Sequence, residues 1–376
     1  MREYVDGATA IARGAVQAGC NFFAGYPISP ATPILQHMVV ALPKVGGIAI
    51  QAEDEIAAIS LCIGAAMTGA RAMTATAGPG ISLFSENIGL AIMGEVPLVI
   101  VDVQRLGPAT GGATTVAQGD VQFIRWGTSG GYPIIALAPS SIAECYTLTQ
   151  KAFDLAEQFR SPVFLVTDKE LNLTLMTIDT DEYRDVPVQP RRVAPPPSEN
   201  RNPYQPYSFE TLETVPVIAH MGDANLARFT GSTHDERGFL TKDPAKAGRL
   251  NAHLAAKIDA RADELELVKA DLQPGAKTLL ISYGITARSV EDAVQRTREQ
   301  GHAISQLTIQ SLWPLPVRAI LSAAEKVERV VVAELNLGQY RLEIERLLPY
   351  KEVIGVNRID GELITPEQIL NTVHLS

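Results

Sequence analysis

The chain has little of several things, and each shortage removes a class of function. Only three cysteines occur in 376 residues, Cys20, Cys62 and Cys145. They are far apart, sit in apolar surroundings and form no C-x-x-C pair, so they cannot hold an iron–sulfur cluster alone and suit a reducing cytoplasm. No stretch of 18 consecutive apolar residues is present, and the apolar run near the N-terminus is broken by acids and by Arg13, which excludes a signal peptide or a membrane span there. Basic residues are outnumbered, 32 Lys and Arg against 42 Asp and Glu, for a net charge of -10. That balance argues against nucleic acid and anionic membranes as partners, and for small molecules or proteins. Neither a G-x-G-x-x-G fingerprint after the first strand nor a G-x-x-x-x-G-K-[ST] loop exists, which speaks against dinucleotide and P-loop chemistry.

What is present is a βα rhythm. Short apolar runs such as Pro97 to Val103 (PLVIVDV) read as buried parallel strands, separated by helix-spaced segments and Gly/Pro loops. The pattern fills residues 1–178, giving one parallel-sheet α/β domain. It gives way at 179–270 to a Pro- and Arg-rich linker and an irregular connecting segment, then resumes at 271–376 as a smaller α/β domain. Asp259 to Val268 reads as a charged helix. His234-Asp235-Glu236 reads as a polar turn rather than a metal site, since no second ligand cluster accompanies it.

Three places put unusual residues at strand ends. Glu53, Asp54 and Glu55 follow the run Gly46 to Ile50; the first two suit an acidic helix N-terminus. Glu55 is followed by Ile56, Ala57 and Ala58, the half-dry setting that raises a carboxyl pKa. Gly25-Tyr26-Pro27-Ile28-Ser29-Pro30 is a loop stiffened by two prolines after a short strand. Arg105 ends the strand PLVIVDV and precedes a run of small or hydroxylated residues, Ala109 to Thr115; its planar fork suits a carboxylate or phosphate.

In their order these segments resemble the α subunit of the 2-oxoacid:ferredoxin oxidoreductases, thiamine-diphosphate enzymes, and look most like the 2-oxoglutarate branch. The resemblance rests on GYPISPAT, QAEDEIAA, TATAGPG and VDVQRLGPATG, and on the later TGSTHDERG, LWPLP and ELNLGQ segments. It implies a pyrimidine-type thiamine-diphosphate domain followed by a transketolase-C-terminal-like α/β domain. It implies that Glu55 contacts the aminopyrimidine of the cofactor, so that a proton can leave thiazolium C2. Tyr26, Pro27, Ile28, Gly78 and Pro79 would bind the cofactor, and Ser29, Arg105 and Thr110 would hold the 2-oxoacid. The implied reaction is oxidative decarboxylation of a 2-oxoacid with coenzyme A, electrons passing to ferredoxin.

The family's G-D-G…N-N signature for Mg2+ and diphosphate is missing. The resemblance therefore implies a β subunit carrying diphosphate, Mg2+ and iron–sulfur clusters, with a γ subunit and a small ferredoxin-like subunit as further partners. No metal site is expected in this chain. The loop Thr110-Gly111-Gly112-Ala113-Thr114-Thr115 lacks the bulky residue and proline usual in that branch, which leaves pyruvate, branched-chain and aromatic 2-oxoacids open as substrates. A non-redox transketolase or decarboxylase half and a non-catalytic scaffold are the readings from other classes. A distal carboxylate would need a cation, for which Arg125 or a residue of another subunit is the candidate.

Overall fold

The computed structural model describes residues 1–198 and 203–374. Seven strands form the larger sheet in the order Ser311–Trp313, Ile135–Leu137, Pro162–Asp168, Leu98–Gln104, Ala72–Thr76, Phe22–Gly25 and Ile48–Gln51. All are parallel except Ser311–Trp313, which runs antiparallel to Ile135–Leu137. Leu98–Gln104 lies in the middle and every one of its residues is buried, which is why it reads as an apolar run interrupted only by Asp102 before Gln104 ends it. One face is covered by the helices Gly7–Gln17, Thr32–Ala41 and Ile142–Phe159, whose Ile11, Ile34, Met38 and Phe153 pack with Val99, Val101 and Val103. The other face carries the helices Glu55–Met67 and Ser85–Met93, and its core continues without a break into the second unit through Trp313, Ile281, Leu307 and Val330.

That second unit is a five-stranded sheet in the order Glu352–Asn357, Arg329–Glu334, Thr278–Ser282, Ser305–Ile309 and Val268–Asp271, the last antiparallel. A buried polar seam joins the units. Gln118 donates from Nε2 to the Tyr283 carbonyl and accepts at Oε1 from the Leu335 amide and the Thr286 hydroxyl, so a single side chain anchors three segments of the second unit.

Two expectations from the sequence need correction. Asp259 to Val268 is not a helix: the helix Pro244–Asp259 ends there, a 3-10 turn Ala262–Leu265 follows, and Val268–Asp271 joins the second sheet. The acids that suggested a helix are engaged elsewhere, Glu266 accepting from the amides of Arg318 and Ala319 and Glu264 pairing with Arg261. The irregular segment before it hides the helix Pro244–Asp259, capped by Asp243 and started by Pro244. Its buried face includes His253 and Lys257 beside Leu250, Leu254 and Ile258, so the apolar period is diluted by charge.

The segment expected as a linker starts with the 3-10 turn Thr180–Glu182 and is tied down. The Arg191 guanidinium pairs with Glu157 through two bonds of 2.8 Å and donates to the carbonyls of Ala66 and Ala70. Residues 199–202 of that linker lie outside the described residues.

Candidate active site

Glu55 is the first residue of its helix, set directly after the edge strand Ile48–Gln51. Asp54 caps that helix by accepting the Ala57 amide at 2.7 Å, as the sequence suggested for it, and Glu53 is exposed just before the cap. Glu55 differs from both. Only 8% of it is exposed, and its carboxylate has no hydrogen-bond or ion-pair partner among the described residues. The chain packs closely around it: a Cβ at Gly80 would lie 2.9 Å from Glu55 Cγ. A carboxylate on a largely buried residue with no partner in its own chain is a candidate to meet a partner from outside it.

Arg105 stands at the carboxyl end of the central strand, where open parallel sheets bind ligands. It is 6% exposed; Nη1 donates to the Ser29 carbonyl and Nη2 to the Thr110 carbonyl at 3.2 Å, while Nε is buried with no partner. Arg105, Ser29 and Thr110 are thus brought together, through backbone oxygens. The hydroxyls of Ser29 and Thr110 are left unbonded among the described residues, on exposed positions.

Beside Arg105 opens a cavity of about 560 Å³, walled by Gly78, Pro79, Arg105, Asp120, Asn336 and Gln339 among others. Glu55 and Tyr26, Pro27 and Ile28 are not in its wall. Tyr26 is 38% exposed, and Ile28 packs on the core beneath. The candidate site therefore has two parts, Glu55 packed against Gly80 and an arginine cavity bordered by Gly78 and Pro79. Arg125 is outside both: it donates to the Tyr132 carbonyl at 3.0 Å and stacks 3.9 Å over Trp126. The His234 turn is internally bonded, Nδ1 lying 2.8 Å from the Ser232 carbonyl, and no group of three or more metal-binding side chains occurs among the described residues.

Asp102 and Asp120 are the site residues that sequence reasoning missed. Asp102 is wholly buried in the central strand and its carboxyl acts on that of Asp120, which borders the cavity. Burial, then the second carboxylate, push Asp102 well above the usual carboxyl range; Asp120 is also raised by burial, against the lowering pull of Asp102 and Arg105. The available signal was one acid inside the otherwise apolar run LVIVDVQ.

A parallel α/β sheet carries a partnerless carboxylate at one strand end and an arginine at another, and a smaller α/β unit follows it. The pyrimidine side of thiamine diphosphate fits the residues present, because it needs such a carboxyl; nothing among the described residues offers a metal site for its diphosphate. Residues 13–252 match the family model described as pyruvate flavodoxin/ferredoxin oxidoreductase, thiamine diphosphate-binding, and 276–369 match pyruvate:ferredoxin oxidoreductase core domain II. The chain belongs to the pyruvate flavodoxin/ferredoxin oxidoreductase family. It is 41% identical to the 2-oxoglutarate synthase subunit KorA of Methanothermobacter thermautotrophicus over 98% of this chain and 97% of that one. The KorA subunit of Methanocaldococcus jannaschii is 40% identical over 99% of both. Among solved structures, the 2-oxoglutarate:ferredoxin oxidoreductase of Magnetococcus marinus, with 2-oxoglutarate, coenzyme A and succinyl-CoA bound, superposes with a TM-score of 0.90 at 29% identity. That match covers 99% of this chain and 64% of that chain. A split-gene transketolase shares the fold at 12% identity and a TM-score of 0.56.

Proposed function

We propose that this chain is the α subunit of a thiamine-diphosphate-dependent 2-oxoglutarate:ferredoxin oxidoreductase. The enzyme takes 2-oxoglutarate and coenzyme A to succinyl-CoA and CO2 and passes the two electrons released to ferredoxin. The observation that carries the reading is Glu55, a buried carboxyl with no partner in its own chain. The choice of 2-oxoglutarate rests on the names borne by the full-length relatives and by the Magnetococcus enzyme.

When bound, thiamine diphosphate supplies the carbon nucleophile and electron sink for decarboxylation. Glu55 would hold a proton at the aminopyrimidine nitrogen N1′, its side chain set closely against Gly80. Arg105, already fixed by two carbonyls, presents its fork to the carboxylate next to the reacting carbonyl. The Ser29 and Thr110 hydroxyls add donors at the rim; Tyr26, Pro27, Ile28, Gly78 and Pro79 shape the cofactor side.

Diphosphate, Mg2+ and iron–sulfur clusters belong on a β subunit, with γ and ferredoxin-like subunits completing the assembly. Exposed Ile48 on the edge strand and Ile56 and Leu61 on the Glu55 helix support a protein partner along this edge. Three free buried cysteines fit a reducing cytoplasm, and no helix among the described residues is long and apolar enough to cross a membrane. The test is reduction of ferredoxin or viologen by the purified complex with coenzyme A and a panel of 2-oxoacids. Preference for 2-oxoglutarate is expected; preference for pyruvate, branched-chain or aromatic 2-oxoacids would overturn the substrate, and no reduction by any would overturn the redox reading.

A further inference from the structure

Arg105 is not the only charged group in its cavity. Asp102 and Gln104 alternate onto one face of the central strand, and Gln104 Oε1 accepts the Asp120 amide at 3.1 Å, which lays residue 120 over that face. Asp102 stands beside Thr76 in the strand register, yet its carboxyl oxygens have no hydrogen-bond donor from the surrounding side chains or backbone. Asp120 Oδ2 is likewise shut off from solvent without a donor. What the two carboxyls have is each other. Two carboxylates in contact in such a place cannot both be ionised, so they share a proton as one titrating unit. Arg105 also acts on this unit, drawing the Asp120 carboxyl down. It forms no direct ion pair with Asp120, and the two side chains share the cavity wall.

The geometry points to Asp102 and Asp120 as a proton-sharing pair that positions and electrically balances Arg105, and that takes up a second proton when the carboxylate of a 2-oxoacid binds that arginine. The inference rests on the reading of Arg105 as the substrate's carboxylate holder. With the cavity free, the singly protonated pair carries one negative charge facing the guanidinium. An incoming carboxylate adds a second negative charge at Arg105, the pull that held the pair ionised is spent on the ligand, and a proton enters from water to restore the balance. Asp102 and Asp120 are positioning residues here, acting through Arg105.

The consequence is a linkage between pH and binding: affinity for the 2-oxoacid falls as pH rises through the titration of the pair, by at most about tenfold per pH unit. The test uses the assembled complex and N-oxalylglycine, an unreactive isostere of 2-oxoglutarate, titrated calorimetrically in buffers of different ionisation heat. The wild type should take up a fraction of a proton on binding, approaching about one near the pair's titration. Asp120→Asn should abolish the uptake and flatten affinity against pH. Asp102→Asn, whose amide donates to Asp120 and holds it ionised, should do the same and keeps the test open if the first variant fails to fold. Arg105→Ala should weaken binding about tenfold or more. Equal uptake in the wild type and both Asn variants, or none in the wild type while Arg105→Ala still weakens binding, overturns the pair's role. Binding unaffected by Arg105→Ala overturns the underlying assignment of Arg105.

Discussion

Two regions of this molecule bury charge, and they do so in opposite ways. Behind the turn that follows the helix Ser85–Met93, Glu95 is fully enclosed with His253, Lys257 and Arg160. Its Oε2 receives Lys257 Nζ at 2.9 Å and lies 3.1 Å from His253 Nε2, while the Arg160 guanidinium donates to the carbonyls of Glu95, Pro206, Pro216 and Val217. Burial alone would raise the Glu95 pKa, but Lys257, His253 and Arg160 together hold it far below the ordinary value. At the strand ends, by contrast, Glu55 has no partner, Asp102 has only another acid, and Arg105 leaves Nε unused. The first cluster pins the helix Pro244–Asp259 and the linker to the sheet, and its interactions are internal. The second is incomplete by itself, which suits a site whose remaining partners come from outside this chain.

Exchanging charge for neutrality should therefore cost activity in one region and stability in the other. Glu55→Gln should lower turnover of the assembled enzyme about 1,000-fold or more with assembly intact, measured by 2-oxoacid-dependent viologen reduction and by gel filtration. Glu95→Gln strands buried Lys257 and Arg160 and should cost about 3–5 kcal/mol of stability by denaturant unfolding. Arg105→Ala should raise KM for the 2-oxoacid about 10- to 100-fold with little change in cofactor content, since it removes a charge-assisted contact made already in the ground state.

The smallest effect separates the regions by sign. Glu95 has a lowered folded pKa, so its contribution is present above the unfolded carboxyl value and is lost as pH falls toward the folded one. Asp102 has a raised folded pKa: the folded state holds the extra proton, and stability declines as pH rises from the unfolded value through the folded one. Asp102→Asn should accordingly be at least as stable as the wild type at mildly alkaline pH, by about 1 kcal/mol, and should lack that declining limb in thermal melts.

Legibility in the sequence followed the same division. Strands such as Leu98–Gln104 and Thr278–Ser282 were readable because both of their faces are buried, and Glu55 and Arg105 because a charge at the end of an apolar run stands out. The helix Pro244–Asp259 was not, because its inward face uses His253 and Lys257 against a glutamate far away in the chain. The strand Glu352–Asn357 is only partly buried and mixes Glu, Gly and Asn into its run, so no period marks it. The Asp102 and Asp120 pairing needed the fold: what joins them is the strand's facing and the Gln104 contact, neither a local pattern. Ser29 and Thr110 were picked out by their hydroxyls and meet Arg105 through their carbonyls, a distinction only coordinates could make.

The central claim is that Glu55 is left unpaired in this chain because it serves the cofactor held across the subunit interface. The most direct measurement is the rate of hydrogen–deuterium exchange at thiazolium C2 of thiamine diphosphate bound to the assembled complex, in the wild type and in Glu55→Gln with equal cofactor content. The account predicts exchange slowed by about 100-fold or more in the variant. Equal rates in the two would contradict it.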